Sequence, residues 1–276
     1  LLLVPFIIGW LVMLKAEELA HIIPRPFLPG AAMVAFALAL WAAGRAFDIN
    51  LVAHAGAVGA VQAAVVTVLG LRASLLLALP LAMGAFLVPF GDEIIPPLQF
   101  ITADITIALT HLSGVPAAIN GIYINTPAGL FIVAEACSGV KFLIAMVTLG
   151  VLVAFTRFDS WRRRAIFMAA CIVVPILANG VRAWATVYVA QFVGAEASGG
   201  FDHIVYGWVF FAIIVAAMLA GAWRWFEREP VDYGWRAEAL AQWKWLAGTE
   251  ALRLAPATAA LAVAAMAAIA ALAALL

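Results

Sequence analysis

The chain has 276 residues, of which 67% are hydrophobic and 11% charged, and its mean hydropathy is +1.11. A soluble domain of this length is about half apolar because its surface must be wetted, so composition excludes a water-soluble fold. Basic and acidic residues number 15 each, so the chain lacks the basic excess of a nucleic-acid binder, and two cysteines make no disulfide framework.

Runs of about 20 apolar residues cross a bilayer as helices. In chain order such runs fall at 1–14, 28–44, 51–70, 73–90, 137–156, 165–192, 203–224 and 254–276. They are continuously apolar rather than alternating with period two, which favours helices over a barrel. The fold class expected is an all-α polytopic membrane protein of about eight transmembrane helices with a small outer-face β-hairpin. The first run opens at Leu1 with neither a basic leader nor a small-residue cleavage site. It reads as an internal start with a helix upstream, and the last run, apolar to Leu276, reads as open in the same way.

Charge orients the spans. Lys15, Arg25, Arg72, Arg157, Arg162, Arg163, Arg164, Arg224, Arg228, Arg236, Lys244 and Arg253 fall in alternate connections, whereas the opposite connections hold Arg45 alone. Lys and Arg mark the cytoplasmic side. Two outer connections carry structure of their own. Gln99, Thr102, Thr106 and Thr110 recur at helical spacing, which predicts an amphipathic helix over 94–112 lying on the outer membrane surface. Between Ala117 and Ala136, period-two apolar residues broken by Asn120-Gly121 and Pro127-Ala128-Gly129 predict the hairpin. On the inner side, 225–253 is rich in charge and Trp, as for a helix at headgroup level. The organisation expected is one transmembrane domain over 1–276. Its parts are the spans of 1–90, the outer segment 91–136, the catalytic spans 137–224, the interfacial segment 225–253 and a last span 254–276.

Three polar residues sit at span ends on the outer side. Cys137 opens one span, and Arg182 lies 18 residues after Arg164, or about 27 Å along a helix. His203 opens the next span from outside. Cys, Arg and His therefore converge at one depth from three consecutive helices. A thiolate is a nucleophile, favoured by a helix N-terminus and a nearby guanidinium. His203 is placed to take the thiol proton and return it to a leaving amine. Arg182 stays charged and suits an oxyanion. Asn179, one turn from Arg182, supports it, while Glu135, Ser138 and Asp202 are candidate local partners. Singly, each has a bland reading: a cysteine as packing, an arginine that snorkels, a histidine at a helix start. Their coincidence carries the argument, since ionisable groups within a membrane are costly. A transporter or channel would place such groups near the midplane and show repeats, and a non-catalytic envelope scaffold would need no thiol. The scattered histidines form no His-Glu-x-x-His motif and there is no phosphate loop, so no metal or cofactor is expected.

The ordered set Ala134-Glu135-Ala136-Cys137-Ser138-Gly139, Asn179-Gly180-Val181-Arg182 and Asp202-His203 with Gly207 resembles the exosortase/archaeosortase family, and its Asp-His form resembles the bacterial A type. Gly114-Val115-Pro116 and Leu87-Val88-Pro89 extend the likeness to about residues 75–225. The resemblance implies a cysteine protease/transpeptidase in the bacterial inner membrane with its active site facing the periplasm. Cys137 would be the nucleophile, Arg182 the electrostatic stabiliser and His203 the acid/base. Its substrates would be exported proteins with a C-terminal sorting tail (PEP-CTERM type): a Pro-Glu-Pro motif, a transmembrane helix and a basic cluster. They would pass to an unknown acceptor. Asp159, Glu227 and Glu229 are the acids expected to meet the basic cluster.

Overall fold

A computed structural model describes residues 2–194, 201–249 and 252–273, without the side chains of 201–205 and 273. The chain divides into two compact units, Leu1–Phe90 with Arg228–Leu276, and Gly91–Glu227.

In the first unit, α1 (Val4–Leu14) and α2 (Ala16–Ala20) precede α3 (Leu28–Ala46) and α4 (Asn50–Leu76), which pack side by side. Small residues line that contact: Gly44 meets the backbone of Ala53 and Gly56 that of Trp41, leaving no room for a methyl at either. Lipid is as apolar as a side chain, so close backbone approach of this kind holds helices together in a bilayer. α5 (Ala78–Gly84) follows. In place of one helix at headgroup level, the segment after Arg228 forms α10 (Ala237–Ala241) and α11 (Lys244–Thr249), preceded by the left-handed turn at Gly234. Tyr233 and Lys15 anchor it. The buried Tyr233 hydroxyl donates to the Leu11 carbonyl (2.8 Å), and Lys15 pairs with Glu18 while lying 5.1 Å over the Tyr233 ring. α12 (Pro256–Ala273) packs on α3.

In the second unit α6 (Ile95–Leu112) and α7 (Val140–Arg157) both pack on the long α8 (Trp161–Val193), and α9 (Phe201–Trp223) meets α8 as well. Between α6 and α7 lies an antiparallel sheet in the order β1 (Ala118–Asn120), β2 (Tyr123–Thr126), β3 (Gly129–Ile132). This is a three-stranded meander, one strand more than the expected hairpin. Alternation seats it: buried Ile124 and Val133 pack on Ala103 of α6.

Helix α6 corrects one expectation. Its polar stripe is present but faces inward, with Thr102, Thr106 and Thr110 fully buried. The Thr106 and Thr110 hydroxyls donate to carbonyls one turn back, and Gln99 donates to the Val133 carbonyl (2.6 Å). The exposed positions of α6 include the apolar Phe100, Ile101 and Leu112 as well as Asp104 and His111. A threonine satisfied by its own helix can enter an apolar interface without an orphaned hydroxyl, so a polar stripe need not face water.

The protein is a polytopic all-α membrane protein, yet among the described residues five helices are long and apolar enough to cross a membrane, or six if Ala78–Leu87 with Asp92–Leu112 counts as one broken span. The five are α3, α4, Glu135–Arg157, α8 and Tyr206–Trp223. The expected eight are too many for two reasons. The apolar stretches at the two ends form shorter helices. The expected pair 51–70 and 73–90 is instead cut differently: α4 runs through a non-helical Gly70 (φ 82°) to Leu76, leaving only α5 and a 3-10 turn, Ala85–Leu87.

Candidate functional site

The site grows from the end of the sheet. β3 leads through Val133 and Ala134 into a single 3-10 turn, Glu135–Cys137, whose Cys137 N–H donates to the Ala134 carbonyl (2.8 Å). Buried Ser138 then folds back, its hydroxyl donating to the Glu135 carbonyl (2.7 Å) and accepting weakly from the Val140 N–H (3.4 Å). The hydroxyl thereby links the cysteine turn to the first residue of α7. Cys137 sits at the lip of that helix, half-buried.

Gly139 makes the arrangement possible. Its φ of 83° is left-handed, and a Cβ there would stand 2.7 Å from the Asn179 Cγ. With glycine in place, the buried Asn179 amide reaches over the turn and donates to the Cys137 carbonyl (2.8 Å) and to the Thr102 hydroxyl (3.1 Å). Asn179 therefore ties α8, α6 and the cysteine turn together. Its amide thus holds the backbone of the cysteine turn, one helical turn before Arg182 on α8.

One turn further along α8, Arg182 is 92% withdrawn from solvent, at 8% exposure. Its guanidinium carbon lies 5.5 Å from the centre of the Phe142 ring on α7. On α9, a Cβ at Gly207 would come within 2.9 Å of the guanidinium, so the absence of a side chain there provides its slot. A cation against an aromatic face in a desolvated setting is held in place as well as stabilised.

These residues share one cavity of about 80 Å³. Cys137, Asn179 and Arg182 line it together with Thr106, Thr186 and an apolar wall of Ile124, Phe131, Ile132, Val133, Ala183 and Val187. Gln191 links α8 to the sheet by donating to the Thr126 hydroxyl (3.1 Å). Of the other candidates, Glu135 is exposed and does not line the cavity, and Ser138 braces the cysteine turn through its bond to the Glu135 carbonyl. Asp202 and His203 fall in the first turn of α9, where side chains lie outside the described residues. Sequence reasoning missed Thr102, Phe142 and Gly139 as supports. The polar stripe of α6 was the available signal for Thr102, had it been read as inward-facing.

Glu227, one of the acids expected to meet the basic cluster, has partners within the fold. Its carboxylate accepts from the N–H groups of Asp159 and Ser160 (2.7 and 2.8 Å) and pairs with Arg163 (3.1 Å), so it closes the start of α8. These backbone N–H groups, aided by Arg163 and Arg164, hold its pKa below the usual carboxylate value despite some desolvation. It is already committed within the fold.

No curated protein and no solved structure matches the chain. Residues 1–220 match the family described as transmembrane exosortase (Exosortase_EpsH). That match spans most of the chain, and the family comprises membrane peptidases or transpeptidases acting on exported proteins. The chain therefore belongs to the transmembrane exosortase family.

Proposed function

We propose that the protein is a thiol-dependent sorting protease/transpeptidase in which Cys137 is the nucleophile, Arg182 the oxyanion stabiliser and His203 the general acid/base. The observation that carries this reading is the shared cavity: Cys137 and the buried Arg182 line the same space, beside an apolar wall suited to an extended peptide. In α9, His203 precedes Gly207 by one helical turn, and Gly207 is the residue against which the guanidinium rests.

The reaction is acyl transfer. The Cys137 Sγ–H proton passes to the His203 imidazole as sulfur attacks the scissile carbonyl carbon. The carbonyl oxygen gains the charge, and Arg182 stabilises it. The tetrahedral species collapses by breaking the C–N bond, and the imidazolium proton goes to the departing amine. This leaves a thioester on Cys137. Water or an amine of the acceptor then attacks that thioester and restores the thiol. The fixed position of Cys137 matters because correct placement accounts for much of the rate in such transfers. Asn179, Gly139 and Ser138 set that position.

The excess of Lys and Arg in alternate connections supports a cavity that faces the periplasm from a bacterial inner membrane. The substrate is an exported protein with a Pro-Glu-Pro-type tail, its transmembrane helix docking from the bilayer. The test is a reporter bearing such a tail, followed by blot and intact mass in cells making wild type or Cys137→Ala, Arg182→Ala or His203→Ala at matched membrane levels. Wild type removes the tail and the variants leave it whole. Trimming by all three variants at the wild-type rate would overturn the reading.

A further inference from the structure

In the first unit, far along the sequence from the cavity, three arginines line one small pocket: Arg25, Arg72 and Arg253, with Gly70, Leu246 and Thr249. They come from three separate stretches of chain, and the backbone fixes each. The non-helical Gly70 breaks the ladder of α4 and lets the Arg25 carbonyl pass where a Cβ would stand. The extended residues 25–28 then bond on both sides. Arg25 and Phe27 N–H groups donate to the Leu69 and Thr67 carbonyls of α4 (3.3 and 2.9 Å). On the other flank Leu28 N–H donates to Leu252 and Leu254 N–H to Pro26 (3.0 and 3.1 Å), forming a bridge between Phe27 and Arg253.

Among the described residues no carboxylate lines the pocket. Glu250, next to Thr249 in sequence, lies outside them. Each arginine has a local interaction as well, and five N–H donors per guanidinium leave capacity for a ligand. Convergent guanidinium forks suit a tetrahedral oxyanion.

Size and surroundings narrow the source. The cavity measures about 20 Å³, room for about one water-sized group. A phosphate oxygen enters while the rest of the ligand stays outside. Ile23, Leu28 and Leu252 beside it are exposed and apolar, and Trp243, just before α11, packs against Trp245 within it, ring centres 5.8 Å apart. Aromatic and basic residues together mark headgroup depth.

We propose that this pocket binds a phosphate group, supplied by the headgroup of an anionic phospholipid. The site stands apart from the acyl-transfer reading and does not depend on it. The test uses the full chain in detergent, with native mass spectrometry to count retained phosphatidylglycerol and melting curves in phosphatidylglycerol, phosphatidylcholine or inorganic phosphate. Wild type keeps phosphatidylglycerol and is stabilised by it. Each arginine removed (Arg72→Gln, Arg253→Gln) weakens binding about tenfold or more, the loss of a charge-assisted hydrogen bond. Lys244→Gln, an equal loss of charge outside the pocket, weakens it no more than about fivefold, the share of a basic residue at an anionic surface. Arg72→Lys, which keeps the charge and loses the fork, gives an intermediate loss and serves if the glutamine variants do not fold. Stabilisation by inorganic phosphate as well, lost in the same variants, keeps the phosphate site and makes the lipid one of its sources. Equal binding by wild type, Arg72→Lys and the glutamine variants would overturn the proposal.

Discussion

The two cysteines make a controlled comparison within one unit. Cys171 is fully buried in a core of Met146, Val153, Phe158 and Phe167, so close to Gly150 that a Cβ there would lie 3.0 Å from its sulfur. Cys137 opens on a cavity, at a helix lip, with its carbonyl held by Asn179. The residue type is the same and the setting is opposite: one sulfur is a filler, the other opens on a cavity. What separates them is a turn geometry, a space and a cation, none of which is a property of cysteine.

Several substitutions test that contrast, the largest effect first. Cys137→Ala abolishes tail removal, whereas Cys171→Ala leaves its rate near wild type. Arg182→Ala slows processing about 10²–10³-fold, the usual loss when an oxyanion donor is removed, measured by reporter time course. Gly207→Ala removes no reactive group, yet its methyl would stand 2.9 Å from the guanidinium. It slows processing by about tenfold to a hundredfold through misplacement, and an unchanged rate would show that the slot does not set the position of Arg182. Cys171→Ala lowers thermal stability by about 1 kcal/mol, a typical core effect, read from melting of the purified protein. The smallest effect concerns Glu227. Its folded pKa is lowered, so its contribution to stability is present above the ordinary value of 4.5 and fades as pH falls through the lower folded value. Glu227→Gln removes that acid-side loss, which a pair of pH-dependent melting series would detect.

Much of this was legible in the sequence because hydropathy and charge act over many residues. Polytopic helices and the small sheet followed from long apolar runs and from period-two residues broken by Gly and Pro. Cys137 and Arg182 stood out because they coincide in depth and side with His203, and ionisable groups within a membrane are costly. Span number was less legible, since a run of apolar residues does not reveal where Gly70 breaks the ladder or where α5 stops. The inward stripe of α6 was misread because Thr hydroxyls bonded to their own helix look, in sequence, like a wetted face. Asn179 illustrates a third limit: spacing placed it beside Arg182, but its partner Cys137 is 42 positions away in sequence and only the packed structure joins them.

The most direct measurement exploits the fact that the chain has two cysteines and no more. Cys171→Ala leaves Cys137 as the sole thiol, and Cys137→Ala with Cys171→Ala leaves none. Both are tested on the tail-bearing reporter at equal membrane levels. The account predicts that the single-thiol protein trims the tail and carries a transient hydroxylamine-sensitive acyl adduct on the peptide containing Cys137, while the thiol-free protein does neither. Tail removal by the thiol-free protein would contradict it.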